Sequence, residues 1–271
     1  MTTPRLVQTR LGRLAVREYG QGAIAVLWHG MFVDSSSWSR MIEPLSRHRR
    51  LVVVDGPGYG ASDELVRVTT MKHCADAAVD LLDGLGITEP VDWVGNAWGG
   101  HVGYELDAAH PGRIGSLVAI SAPSECLTPR QKRKLRMLRP VLRAAGPAPF
   151  LIALVAEAQL TDYSRAADPD ALAVIHDSMH RQSKRSLSTT FASFVLRRRD
   201  LRTVLCAGSA PALFIASDDR GEWTPALAKA IAGQRAGARS TTVSWSRTLV
   251  PLEQPAALAR EIVAFWEELA G

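Results

Sequence analysis

The sequence is poor in the residues on which metal and redox chemistry depend. Only three of its 271 residues are cysteines, and Cys74, Cys126 and Cys206 have neither metal-ligand nor redox spacing. Histidines and acidic residues are likewise scattered without the spacing of a ligand set. We therefore expect no metal and interpret the cysteines as small buried apolar residues.

Other absences narrow the class of protein. No run of 18 apolar residues occurs, and Met1–Pro4 does not begin a secretory signal. A phosphate-cradling glycine-rich loop and the dinucleotide fingerprint are also missing. These absences predict a cytoplasmic protein with no cofactor and no membrane partner.

The residues that are present predict a layered fold. With 46% apolar residues, the chain can bury a large core and carry an insertion. Mostly apolar runs, typical of strands covered on both faces, occur at Ala23–Trp28, Leu51–Val54, Val91–Val94 and Ser116–Ile120. Between two of them, the 3.6-residue period of a helix is followed by Ala75, Ala78, Val79, Leu82 and Leu85. This alternation predicts an α/β fold with a mostly parallel central sheet and helices on both faces.

The stretch Gly95-Asn96-Ala97-Trp98-Gly99 joins one of these strands to the next helix. Glycines at its two ends allow a sharp turn, because side chains there would collide with neighbouring backbone. The pattern is similar to the G-x-S-x-G elbow of serine hydrolases, whose middle residue is the exposed nucleophile. Here the middle residue is Ala97, and its methyl group cannot attack a substrate. The sequence therefore predicts the elbow without its nucleophile.

Several segments together resemble the α/β-hydrolase family. They are His29-Gly30, Asp55–Ser62, the elbow, Pro211–Asp219 and Pro251–Pro255. The resemblance covers about residues 5–122 and 205–270. It implies an α/β-hydrolase core of residues 1–123 and 206–271, with residues 124–205 inserted as a helical cap. Helices are predicted from Asp34 to Leu45, over Arg130–Ala144 and over Pro169–Arg185.

The predicted cap carries the positive charge of the chain. Residues 124–206 hold fifteen Lys/Arg against seven Asp/Glu, a net +8, whereas the whole chain is +5 and the remainder is −3. The run Lys132–Arg136 has two interpretations, a solvated helix face or attraction of an anionic ligand or partner. No nucleic-acid-binding motif accompanies it, so we expect no nucleic-acid partner. The oligomeric state is not indicated.

The resemblance also implies a catalytic site. The oxyanion donors would be the backbone N–H groups of Met31 and Trp98. The carboxylate that orients the catalytic base would be Asp219, with the neighbouring Asp218 as the alternative. The base itself is missing, because Thr248 stands at the histidine position and no histidine follows His180.

Two members of a catalytic triad are thus absent from separate parts of the chain. Ala97 alone could be an engineered trap for a substrate, but Thr248 favours natural loss, since Ala would be the usual engineered choice. The ancestral nucleophile stays open. Ala97-Trp98-Gly99-Gly100 resembles the Asp-Trp-Gly-Gly elbow of epoxide hydrolases and haloalkane dehalogenases as much as a Ser elbow of the kind found in C–C hydrolases.

The remaining candidates around the site each have a structural alternative. His29 is either a catalytic group or a residue hydrogen-bonded to nearby backbone. His101, one helical turn after Ala97, either lines the pocket or packs beneath it. Asp34, with Ser35, either faces the cavity or caps a helix. The choice between cavity wall and core also stays open for Trp28, Trp98, Trp223 and Trp245.

Three functions are compatible with this pattern. The first is non-hydrolytic chemistry on a small organic molecule, such as cyclisation, isomerisation, elimination or a lyase reaction, using acid–base groups and the oxyanion donors. The second is a catalytically silent protein that binds a small-molecule ligand or acts as a regulatory partner. The third is a hydrolase with a Ser or Asp nucleophile that carries an inactivating substitution at Ala97.

Overall fold

A computed structural model describes residues 3–271, and its centre is one eight-stranded sheet. The order across the sheet is β1-β2-β4-β3-β5-β6-β7-β8. The strands are β1 (Arg5–Thr9), β2 (Gly12–Tyr19), β3 (Ile24–Trp28), β4 (Arg50–Asp55), β5 (Val91–Asn96), β6 (Ile114–Ile120), β7 (Ala212–Ser217) and β8 (Ala238–Val243). β1 and β2 are antiparallel to their neighbours, and all other pairs are parallel. The predicted fold class, with a mostly parallel sheet, is confirmed.

Helices connect the parallel strands and cover the sheet. Those outside the long connection are α1 (Ile42–Ser46), α2 (Met71–Gly84), α3 (Trp98–Ala109), α11 (Pro225–Ala232), α12 (Val250–Glu253) and α13 (Pro255–Ala270). The connection from β6 to β7 contains α4 (Pro129–Arg136), α5 (Leu138–Ala145), α6 (Pro149–Gln159), α7 (Asp162–Ala167), α8 (Pro169–Arg181), α9 (Lys184–Thr190) and α10 (Arg202–Ala207). A 3-10 turn at Ser35–Trp38 and a π-helix at Phe191–Leu196 complete the elements.

The two faces of the sheet bury different side chains of the same strands. In β3, Val26 and Trp28 pack in one core layer with α2 and α3, whereas Ala25 and Leu27 pack in the other with α1 and α13. All four are fully buried. Burying a side chain of this size stabilises the fold by about 1.5–3 kcal/mol, so strands that are apolar throughout are stable only between two helical layers.

The long connection forms a third apolar cluster of its own. Its helices bury Leu142, Leu151, Ile175 and Leu187 together with Val33 from the loop after β3. The cluster therefore lies on the side of the sheet where the parallel strands end. We call this segment, residues 124–205, the helical insertion; the boundaries proposed for it stay a prediction.

Three predicted helices are interrupted in the structure. Asp34 caps the 3-10 turn, and α1 begins only at Ile42, so Asp34–Leu45 is not one helix. The helix predicted over Arg130–Ala144 is divided at Met137 into α4 and α5. The one predicted over Pro169–Arg185 ends at Arg181, because Ser183 is extended and its side chain caps α9.

The described part of the chain contains neither a membrane-spanning helix nor a group of side chains suited to a metal ion. None of the helices within residues 3–271 is both long enough and apolar enough to cross a membrane. Over the same range, no three His, Cys, Asp or Glu side chains are grouped so that they could hold a metal ion.

Candidate active site

The elbow between β5 and α3 has the strained backbone that its glycines predicted. Ala97 has φ 46° and ψ −105°, a left-handed conformation that is unfavourable for a residue with a Cβ. A Cβ on Gly95 would lie 2.2 Å from the carbonyl carbon of Gly99, and one on Gly99 would lie 2.1 Å from the Trp28 carbonyl oxygen. Glycine is therefore required at both positions, and Ala97 is held at the tip of the turn.

Two backbone N–H groups, at Trp98 beside the elbow and at Met31 in the loop after β3, were predicted to be oxyanion donors. Trp98 is the first residue of α3, so its N–H has no partner within the helix. The Met31 N–H likewise donates no hydrogen bond within residues 3–271, while the Met31 carbonyl accepts one from Gln159 Nε2 at 2.8 Å. These two N–H groups are the donors that the resemblance implied for an oxyanion.

A cavity of about 220 Å³ lies above the elbow. Core residues in its wall include Met31, Phe32, Ala97, Trp98, His101, Ser121, Arg220, Glu222, Trp223 and Thr248. Residues of the helical insertion in its wall include Leu127, Leu135, Gln159, Phe194 and Arg198. The structure thus brings together five of the predicted site positions, at Met31, Ala97, Trp98, His101 and Thr248.

Two of the predicted pocket residues do not line this cavity. His29 is fully buried behind it, where Nδ1–H donates to the Gly30 carbonyl at 2.6 Å and Nε2 accepts from Gly56 N–H at 2.9 Å. Burial lowers its pKa and keeps it neutral. His29 therefore supports the oxyanion loop and does not face a ligand.

Asp34 likewise does not line the cavity. Its Oδ1 accepts from the backbone N–H of Ser36 at 2.9 Å, and its Oδ2 pairs with Arg181 at 2.7 Å. Burial opposes the charged form, but the hydrogen bonds from Arg181 and Ser36 outweigh it and lower the pKa. The carboxylate serves as a helix cap and as a link to α8, not as a cavity group.

Asp219 is also displaced from its predicted role. Arg247 Nη2 lies 2.7 Å from its Oδ2, and Arg220 Nε lies 3.2 Å from its Oδ1. The Arg247 side chain is only 5% exposed, whereas the Asp219 side chain is 29% exposed, so the guanidinium end of this pair is buried and the carboxylate end reaches water. The carboxylate faces a second groove and holds two guanidinium groups instead of orienting an imidazole. The alternative, Asp218, accepts the Trp245 N–H at 2.8 Å and lines the same groove.

Thr248 lines the cavity, and its backbone makes two hydrogen bonds that hold the loop in place. Its N–H donates to the Gln159 carbonyl at 3.1 Å, and its carbonyl accepts from Asn96 Nδ2 at 2.8 Å. The loop after β8 is thereby tied both to the elbow and to the helical insertion.

His101 both lines the cavity and packs against the core. Its Nε2 lies 2.8 Å from the Pro123 carbonyl oxygen, and the residue is 4% exposed. Burial, together with the nearby positive charge of Arg198, lowers its pKa to about 3. The imidazole is therefore neutral at physiological pH, with Nε2–H donated to Pro123, and is a weak base.

Two polar residues of the cavity wall, Gln159 and Arg198, were not identified from the sequence. Gln159 contacts the oxyanion loop through its Nε2, and its Oε1 is buried without a partner within residues 3–271. Arg198 pairs with Glu222 at 2.7 Å, and its Nε is buried and unpartnered over the same range. Gln159 and Arg198 belong to the insertion, which has no recognisable motif, so only their three-dimensional position identifies them.

The aromatic residues divide between the two predicted roles. Trp98 and Trp223 are cavity residues, and the Trp98 ring stacks on Phe194 with centroids 4.5 Å apart. Trp28 is core, stacked on Trp93. Trp245 is neither, because it is 82% exposed at the second groove.

A family model described as the alpha/beta hydrolase family matches residues 25–261. Among curated proteins, a 2-hydroxy-6-oxononadienedioate/2-hydroxy-6-oxononatrienedioate hydrolase of Pseudomonas putida is 35% identical over 127 residues, 43% of this chain and 44% of that protein. A pimeloyl-[acyl-carrier protein] methyl ester esterase of Salmonella heidelberg is 32% identical over 114 residues, 42% of each chain. The matches thus span less than half the length of these relatives.

Solved structures match over nearly the whole chain. A thermophilic esterase from Thermogutta terrifontis has a TM-score of 0.90 at 22% identity and covers 99% of both chains. The enol-lactonase from Burkholderia xenovorans LB400 has a TM-score of 0.87 at 23% identity, covering 97% of this chain and 100% of that one. At this level of identity the likeness concerns the fold.

Proposed function

Because the chain belongs to the alpha/beta hydrolase family, we propose that it is a non-hydrolytic member that binds a small organic anion above the elbow. In this proposal the backbone donors stabilise negative charge on a carbonyl oxygen of the ligand, and no covalent intermediate forms. The helical insertion acts as a cap, since Leu135, Gln159 and Arg198 close the cavity. The curated relatives are hydrolases and esterases, so the proposal departs from them in the reaction.

The observation that carries this proposal is the conformation of Ala97. A non-glycine residue in such a conformation costs on the order of 1–3 kcal/mol and persists only where the surroundings impose it. The nucleophile is gone, but the strained turn is kept, and Trp98, whose N–H has no partner within α3, lines the cavity. Donors fixed in this way stabilise an oxyanion whether or not the carbonyl has been attacked.

Enolate chemistry fits these parts. An enolate places its negative charge on the same oxygen that an acyl intermediate would, so the two N–H groups serve it equally well. In this proposal the C–H bond breaks with its electron pair left on the enolate, and the proton goes to solvent water or hydroxide in the cavity. Those cyclisation, isomerisation, elimination and carbon–carbon lyase reactions that begin beside a carbonyl group pass through such charge. None of them requires the hydroxyl or carboxylate that Ala97 lacks.

The preference for an anion comes from Arg198. Its side chain is 14% exposed and lies in the cavity wall with one N–H unpartnered within the described range. A planar guanidinium recognises a carboxylate through paired hydrogen bonds. The Pseudomonas putida relative is named for a dioate, a compound with two carboxylates, which would suit this contact.

The decisive experiment combines binding with exchange of carbon-bound hydrogen. A panel of 2-oxo carboxylates is screened by thermal shift, where ligand at 100 times its Kd adds about 2.7 kcal/mol of stability. Bound compounds are then followed by NMR in deuterated water. We expect deuterium to enter beside the carbonyl faster than in the buffer control, and Arg198→Met to weaken binding by about tenfold or more while a matched change at the exposed Arg67→Met leaves it unaltered.

A second candidate, ligand binding without chemistry, is favoured by the state of the acid–base groups. His101 has a pKa of about 3, Asp219 is held by two arginines, and Glu222 is paired with Arg198. His101 is therefore a weak base near neutral pH, and the two carboxylates are engaged by arginine side chains. Tight binding with no deuterium entry would support this candidate and exclude enolate chemistry, whereas no binding by any 2-oxo carboxylate would argue against both.

A further inference from the structure

The outer surface of the helical insertion contains an unusual concentration of one charge. Residues 126–156 include seven Lys/Arg and no Asp/Glu, so this segment is +7 while the remainder of the chain is −2. All seven lie on α4 and α5, which we call the basic hairpin. They are Arg130, Lys132, Arg133, Lys134, Arg136, Arg139 and Arg143.

None of these seven side chains has a partner within residues 3–271. No salt bridge or side-chain hydrogen bond involves any of them, whereas arginines elsewhere, such as Arg40 and Arg181, are paired at 2.6 and 2.7 Å. The helix α4 buries no residue at all. The charges are therefore neither neutralised nor held in fixed positions.

Apolar side chains are exposed beside these charges. Met137, at the junction of α4 and α5, is 73% exposed, and Phe150 at the start of α6 is 60% exposed. The inward side of α5 already packs on the insertion core, where Leu142 is buried and Leu138 and Val141 are partly buried. Met137 thus lies exposed between the two basic helices, and Phe150 is exposed a few residues after α5; neither packs in the insertion core.

We propose that the basic hairpin docks on an anionic phospholipid surface. Lipid headgroups offer diffuse negative charge that attracts unordered Lys and Arg side chains without geometric matching. The interface beneath them accepts isolated apolar side chains such as Met137 and Phe150. An acidic protein would need ordered partners, and a nucleic acid would leave the apolar groups in water, so the lipid surface fits best. Surface docking requires no membrane-spanning segment, so this proposal departs from the sequence-based prediction of no membrane partner, which rested on the absence of such a segment.

The hairpin also connects this surface with the cavity. Leu135 of α4 lines the cavity wall opposite the elbow, although its neighbours Lys134 and Arg136 are exposed outward. A docked hairpin therefore places the cavity wall next to the lipid. The docking itself is independent of the function proposed for the cavity, and its test uses no cavity ligand.

The test measures co-sedimentation of the full chain with vesicles of phosphatidylcholine alone and of phosphatidylcholine mixed with phosphatidylglycerol. We expect binding only to the anionic vesicles, with affinity falling steeply as salt is raised. The variant Arg130→Glu/Arg133→Glu/Lys134→Glu should lose at least about 100-fold in partitioning, from roughly fivefold for each basic residue near the surface. The variant Met137→Ser/Phe150→Ser should bind several-fold more weakly and with unchanged salt dependence.

Matched controls separate docking from net charge and from misfolding. The variant Arg67→Glu/Lys229→Glu/Arg260→Glu changes net charge equally at three exposed, unpaired positions and should retain vesicle binding. Val66→Ser, at a residue that is 60% exposed elsewhere, controls for lost apolar area. The proposal would be overturned by equal binding to both vesicle types or by an equal loss of binding in the charge control. It would also be overturned if the protein bound duplex DNA or an acidic protein more tightly than anionic vesicles.

Discussion

At the scale of single residues, the backbone at Ala97 combines a high conformational cost with a side chain that does nothing chemical. Its φ of 46° is imposed by close contacts of Gly95 and Gly99 with neighbouring backbone, not by any contact of its own methyl group. Its stability and its chemistry can therefore be tested separately.

Ala97→Gly should stabilise the protein. Removing the Cβ relieves about 1–3 kcal/mol of strain. The greater flexibility of glycine in the unfolded chain lowers stability by roughly 0.5–1 kcal/mol. We therefore expect the free energy of unfolding, measured in urea, to rise by about 1 kcal/mol. Ala108→Gly, inside α3, is the control and should destabilise by about 1 kcal/mol. A loss at position 97 comparable to that at 108 would show that the turn is not strained.

Restoring the missing triad side chains should not restore ester hydrolysis. Ala97→Ser/Thr248→His supplies a hydroxyl and an imidazole, but Arg247 and Arg220 already occupy the carboxylate that should orient the base. We expect turnover of activated aryl esters by the double variant to stay within about tenfold of Ala97→Ser alone, since a small misplacement can cost about 100-fold. Adding Arg247→Ala should raise it. Strong activity in the double variant would instead identify a recently silenced hydrolase.

At the scale of secondary-structure elements, one buried ion pair holds three of them together. Asp107 of α3 pairs with Arg235, which follows α11, and the two side chains are 2% and 1% exposed. Asp107 also accepts the backbone N–H of Ala210 at 3.2 Å, and Arg235 donates to the Leu205 carbonyl at 2.9 Å. The pair thus fixes α10 between α3 and the loop before β8.

Arg235→Met should be strongly destabilising. Removing one partner leaves the Asp107 charge buried and uncompensated, which costs about 3–5 kcal/mol. Chemical denaturation measures the loss, and Arg47→Ala, at the exposed pair with Glu43, should change stability by less than about 0.5 kcal/mol. A cost of under about 1 kcal/mol for Arg235→Met would mean that water reaches Asp107.

The elements show what periodicity could and could not predict. The strands and the elbow follow from apolar runs and from Gly95 and Gly99, because those patterns act over a few neighbouring residues. The breaks at Met137 and Ser183 were not predicted, since the helical period continues across them and only the packing of the insertion decides where the chain turns. The pairing of Asp219 with Arg247 joins residues 28 positions apart, which no local pattern records.

At the scale of the whole molecule, the sequence predicts the family core better than it predicts the helical insertion. The sheet and its helices form the family core, and the family membership and fold class inferred from the sequence are confirmed. The cavity wall is not predictable to the same degree, because Gln159 and Arg198 come from an insertion without a motif. In the function proposed above, those two residues help to select the ligand.

The pH dependence of global stability should report the buried histidines. His101 has a pKa of about 3 in the folded protein, below the value of about 6.5 expected when unfolded. The unfolded state therefore binds the extra proton first, and stability is lost as pH falls below about 6.5, reaching roughly 2 kcal/mol at about pH 5. His101→Gln keeps a donor for the Pro123 carbonyl and should flatten the slope of unfolding free energy between about pH 6.5 and 5. An unchanged slope would show that His101 is protonated when folded.

The packing of Gly95 and Gly99 against their neighbours has a consequence for how this site could change over evolutionary time. Since these glycines shape the turn, the identity of residue 97 is not needed to form it, and any small side chain can stand there without dismantling the fold. Oxyanion donors, unlike a nucleophile, are supplied by the main chain and survive such exchanges. One substitution at residue 97 is therefore enough to remove the covalent step from such a site. The pocket and its main-chain donors for a negatively charged oxygen remain, and selection for another reaction can start from them.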